Sequence, residues 1–105
     1  MQGSVARCSR NDAIRLLREC LEFGEVVPSK HFRDELAAEG LTLPDALFVI
    51  AHGGVYDEPE FDVRYREWTY RVEGTEPEGK YVAIVFSFKS TETSLLITIF
   101  SIRAR

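Results

Sequence analysis

The last third of the chain constrains it most. Between residues 66 and 103 three segments in succession read as strands: REWTYRVEG, KYVAIVFSFK and SLLITIFSIR. Two short turn segments, GTEPEG and STET, separate them. Runs rich in β-branched and aromatic residues, bounded by Gly, Pro, Ser and Thr, are the signature of consecutive strands. Everything before this block reads as short helices with start and stop signals. Helices that feed a meander predict an α+β fold, with short N-terminal helices packed on one face of a twisted antiparallel β-meander. A chain of 105 residues is one domain of ordinary size.

The helix signals are local. Ser9 and Asn11 are candidate caps for a helix over 10–23, with an apolar stripe of Ile14, Leu17 and Leu21. Gly24 ends it, and Glu25-Val26-Val27 reads as an extended link held out of the helical region by Pro28. Ser29 caps a second helix over 30–39 whose buried side is Phe32, Leu36 and Ala37; Gly40 stops it. Thr42, Pro44 and Asp45 open a third helix over 43–52, and Gly53-Gly54 close it. Val55-Tyr56 suggests a short strand and DEPEFD (57–62) an exposed loop. The alternation of apolar residues changes phase between Phe61 and Val72, which predicts a bulge or break near Tyr65-Arg66.

Strands at 81–88 and 95–102 are apolar at nearly every position. Such runs fit strands covered on both faces, or covered on one and matched to a partner on the other. The predicted core includes Ile14, Leu17, Leu21, Phe32, Leu36, Leu47 and Ile50. From the sheet it takes Val82, Ile84 and Phe86, with Leu96, Thr98 and Phe100 on the same face.

Charge and cysteine usage exclude some classes. The net charge is −4, with 11 acids against 2 bases over 19–62, whereas 1–18 carries four Arg against one Asp. An acidic middle between basic ends does not make the broad positive face of a general nucleic-acid coat. Cys8 and Cys20 are too few for a disulfide framework. Neither they nor the separated His31 and His52 have metal-ligand spacing, so no metal or cofactor is expected. Residues 1–10 lack the apolar run of a signal peptide, and no segment is long and apolar enough to span a membrane. These readings predict a cytoplasmic protein with no membrane association.

A His near the start of a short helix (Ser29-Lys30-His31-Phe32), the helix entry GLTLPDA, His52-Gly53, a strand ending YRVEG and a closing ITIF strand follow in order. Over about residues 25–103 this order resembles an uncharacterised small-domain family grouped with RelE/ParE-type toxins, and the layout is similar to the MqsR-type one. The resemblance implies a RelE-like fold, the toxin-like half of a toxin–antitoxin pair with an antitoxin as protein partner, and a metal-free ribonuclease acting on mRNA. It also exposes a departure. Arginines stand one and two turns after the helix-start His in that family, but Glu35 and Glu39 stand there here.

Metal-free RNA cleavage needs a base, an acid and a cation for the phosphorane charge. His31 is the candidate catalytic base and Arg71 its catalytic cation, with Arg64, Arg66 and Lys80 as substrate-binding residues. Each has a plainer role. His31 can cap or pack its helix, Arg71 can sit on the wet face of the sheet, and Lys80 can simply solubilise a turn. Tyr65, Trp68 and Tyr70 could stack bases or fill the core, His52 reads as a helix-end cap, and 103–105 is either a solvated tail or near a toxin-like site. The alternative reading is a non-catalytic protein-interaction domain on the same fold, which the acidic balance and the two glutamates favour.

Overall fold

The computed structural model describes residues 5–104; Arg105 and residues 1–4, and what was read from them, lie outside the described residues. The elements are α1 (Arg10–Phe23), β1 (Glu25–Pro28), α2 (Lys30–Ala38), α3 (Leu43–His52), β2 (Glu60–Asp62), β3 (Glu67–Thr75), β4 (Tyr81–Phe88) and β5 (Thr93–Ser101). The fold is α+β, three helices against a five-stranded sheet of order β1-β5-β4-β3-β2. Among the described residues no helix is long and apolar enough to cross a membrane.

The caps form as their residues dictate. The Ser9 hydroxyl accepts from the Asp12 N–H at 3.1 Å and that of Ser29 from the Phe32 N–H at 3.0 Å. Thr42 and Asp45 exchange bonds in a capping box. Past α2, Gly40 takes φ +75°, and the N–H groups of Gly40 and Leu41 close onto the carbonyls of Ala37 and Leu36, a Schellman ending. Gly24 is required for a different reason: a Cβ there would lie 2.1 Å from the Glu92 carbonyl oxygen.

The sheet corrects four expectations. The link after α1 is a strand: β1 pairs parallel with β5, Glu25 opposite Thr93 and Pro28 opposite Leu96, so the meander is antiparallel but the sheet is mixed. Pro28, which has no N–H to donate, is tolerated because β1 is an edge. The last three residues of the acidic loop form β2, antiparallel to β3; the break expected near Tyr65-Arg66 is present as a hairpin turn over 63–66, with Arg66 at φ +55°. Val55-Tyr56 is not a strand; a single bridge joins Gly54 to Glu73. Finally, Phe86 pairs with Leu96 but Val85 pairs with Thr98, so Ile97 is an extra residue and β5 changes face there. Ile99, not Thr98 or Phe100, therefore enters the core.

The core lies between the helices and one sheet face. Leu17, Phe32, Ile50, Val82, Ile84, Phe86 and Leu96 are fully buried, as expected, joined by Ala13, Cys20, Val49 and Val72. Ile14, Leu21 and Leu47 flank this cluster half-buried, and Ala37 is exposed. Trp68 and Tyr70 are packed aromatics, Tyr70 buried and Trp68 half-buried; burial pushes the Tyr70 hydroxyl up to about 12. The opposite face carries Val27, Leu95, Val85 and Phe100, all outside the core cluster. No helix covers it. Two reduced cysteines are present, Cys20 buried and Cys8 half-buried.

Candidate functional site

α2 lies along β5 where β1 has stopped pairing with it. Its Ser29 cap starts that contact: the Ser29 N–H donates to the Leu96 carbonyl at 3.0 Å and its hydroxyl to that of Ile97 at 3.2 Å. His31 follows in the first turn, with 66% of its side chain exposed, and its Nε2 lies 3.4 Å from Glu35 Oε2. The other Glu35 oxygen accepts from the Thr98 hydroxyl and from the Ile99 N–H. His31, Glu35 and Thr98 thus form a chain of polar contacts at the sheet rim.

One turn further along, Glu39 Oε1 accepts from the Ser101 hydroxyl at 2.5 Å and from Lys80 Nζ at 3.0 Å. Lys80 also donates to the Glu39 carbonyl at 2.8 Å. Glu35 and Glu39 therefore fasten α2 to the sheet, and Lys80 belongs to that fastening.

The Ser101 hydroxyl and then Lys80 hold the Glu39 carboxyl below its ordinary value of 4.5. A carboxyl lowered in the folded state stabilises it above the ordinary value and loses that contribution as pH falls through the lowered one. Glu39→Gln is accordingly expected to flatten the acid limb of the stability curve below about pH 4.5. Urea unfolding across that range checks it; parallel pH profiles for the two proteins would refute it.

Arg71 is on the open face of β3, on the other side from Tyr70 and Val72. Its Nη2 lies 2.8 Å from Asp57 Oδ2 and 3.0 Å from Glu73 Oε2, and its Nε donates to Glu73 at 3.1 Å. The Glu73 side chain is 0% exposed, and its second oxygen accepts from the Tyr81 hydroxyl at 3.1 Å. The guanidinium also lies 6.0 Å from the Phe100 ring centre. Two carboxylates hold this cation.

Arg64 and Arg66 occupy the β2–β3 turn, where Arg64 stacks over Tyr65 at 5.2 Å. Sheet order places this turn on the strand pair opposite the β1–β5 edge that α2 follows. Arg71 is nearer: it pairs with Val85, which pairs with Thr98, a span of about 10 Å across three strands. The structure thus joins His31 to Glu35 and Thr98, and Arg71 to Asp57 and Glu73. None of the described hollows is lined by His31 together with any of these arginines.

A hollow of about 130 Å³ opens beside Arg71. Val85 and Phe100 line its apolar part, and Asp57, Glu58 and Glu60 its polar part. Three acidic residues against the one lining arginine, Arg71, disfavour a phosphate there. Among the described residues no group of three or more His, Cys, Asp or Glu could hold a metal. Glu73 was missed in the sequence, although residues i and i+2 share a strand face and Arg71-Val72-Glu73 has that spacing. Asp57 and Thr98 carry no such signal, since only the fold brings them near. His52 caps α3, its Nδ1 lying 3.0 Å from the Phe48 carbonyl.

Fold and site define a small α+β domain with one sheet face under helices and the other open. Residues 28–101 match the family described as a domain of unknown function, DUF4258, and the chain belongs to that family. No curated protein and no solved structure matches it.

Proposed function

We propose that this domain is a non-catalytic protein-interaction module on a toxin-like fold, working in the cytoplasm. The carrying observation is the open sheet face, where Val27, Leu95, Val85 and Phe100 lie outside the core that the helices cover. Apolar side chains gathered on an uncovered face mark an interaction surface. The state of Arg71 supports the same reading, because a guanidinium held by Asp57 and the buried Glu73 has little charge left for a phosphate. The natural partner in this reading is the second protein of a toxin–antitoxin type pair.

A second reading keeps the ribonuclease of such a pair, acting on mRNA. The observation that favours it is the His31–Glu35–Thr98 chain, which orients an exposed imidazole at the sheet rim, as a general base requires. Arg71, Arg64 and Arg66 would then bind substrate from across the sheet.

Induced expression in a bacterial host separates the two. The interaction reading expects continued growth, intact RNA and a stable complex with the product of an adjacent reading frame, lost on Val85→Glu. Growth arrest with RNA cleavage in the presence of a chelator, relieved by His31→Ala, would overturn it in favour of the nuclease.

A further inference from the structure

The hollow beside Arg71 combines features that select a particular kind of side chain. Val85 and Phe100 offer an apolar wall, Asp57, Glu58 and Glu60 line the same space, and Arg71 borders it with its guanidinium over Phe100. Asp57 is engaged by Arg71, and Glu58 by Arg7 at 2.9 Å and Arg10 at 3.2 Å. Glu60 stands apart from both networks. It is exposed on β2, where its carbonyl, not its carboxylate, accepts from the Thr69 hydroxyl at 3.1 Å. A long basic side chain suits such a place, since its hydrocarbon stem lies on apolar surface while its charged head reaches out to carboxylates. Apolar neighbours of that residue would meet Leu95 and Val27 in the adjoining row of the sheet, where Val27 is 37% exposed.

We infer that the open sheet face receives an apolar segment of a partner protein anchored by one arginine, whose guanidinium pairs with Glu60 while its stem covers Val85 and Phe100. Arginine fits better than lysine because its planar fork meets a carboxylate through two hydrogen bonds. The inference rests on the interaction reading and names the partner's chemistry. It also gives the acidic stretch at 57–62 a role in recognition, through charge complementarity that sets specificity and rate of encounter.

The probe is a labelled synthetic peptide, Leu-Val-Arg-Val-Leu, compared with its Glu-for-Arg counterpart and with a short RNA oligonucleotide. Affinity and backbone amide shifts of the protein are both read. The arginine peptide is expected to bind about tenfold more tightly than the glutamate one, with shifts centred on Thr69, Val85 and Phe100. Glu60→Lys, a change at an exposed position whose spectrum reports that the fold is kept, is expected to remove that preference. Equal binding of the two peptides, shifts centred elsewhere, or an unchanged preference in Glu60→Lys would each overturn the inference. RNA that shifts the same resonances would overturn it as well. Failure of both peptides to bind refutes the arginine anchor alone; the interaction reading stands or falls separately, on growth and on the complex with the adjacent gene product.

Discussion

Phe86→Ala is expected to destabilise the domain by about 3–5 kcal/mol. Phe86 is 0% exposed, at the centre of the helix-covered face, and its ring lies 5.5 Å from that of Tyr70 and 5.6 Å from that of Phe88. Removing it takes away the transfer free energy of a large ring and leaves a cavity that two neighbouring aromatics cannot collapse into. Phe100 is the matched control. The bulge at Ile97 turns it to the open face, where it is half-buried. Phe100→Ala should therefore lose well under half as much. Thermal unfolding of both variants decides it: a fall of at least about 12 °C is expected for Phe86→Ala. Equal losses at the two positions would show that the face assignment is wrong.

Arg71→Ala is expected to lose about 3 kcal/mol, the lower end of the range for breaking a buried ion pair. The loss arises because Glu73 is fully buried and its carboxylate faces that guanidinium. The lower end applies because Arg71 is 34% exposed and Asp57 50% exposed, so water screens part of the interaction. Replacing both members of the pair, Arg71→Met with Glu73→Leu, should recover much of the loss, since no buried charge is then left without its partner. Urea unfolding of the single and double variants measures the coupling; a near-neutral Arg71→Ala would remove the structural role. This expectation also governs how activity experiments are read. Loss of function in Arg71→Ala follows from a weakened fold as readily as from lost catalysis, whereas His31, two-thirds exposed, can be changed with the fold intact.

The sequence by itself determined the elements whose causes are local. Ser9, Ser29 and Thr42 accept from N–H groups three residues on, and Gly40 and Leu41 close α2 onto the carbonyls of Ala37 and Leu36. Such signals are complete within one turn of helix, so reading along the chain finds them. The meander was legible for a similar reason, because its turns join neighbouring strands. The identity of the buried face on β4 followed from simple alternation of Val82, Ile84 and Phe86.

Only the tertiary structure decided the rest. The pairing of Glu25–Pro28 with β5 joins segments 68 residues apart in register, and a four-residue run does not state its partner. The slip at Ile97 was hidden because Leu95, Leu96, Ile97 and Ile99 are all apolar, which leaves alternation without contrast just where the strand turns over. The site shows the same division. Arg71 and Glu73 share a face by spacing alone, but Asp57 reaches Arg71 across a loop and Glu35 reaches Thr98 from another element. A side chain's charge is written in its own residue, whereas the charge it faces is set by chain closure over long separations. For that reason Arg71 reads in sequence as a cation open to a phosphate, and in the folded domain as the partner of a buried carboxylate.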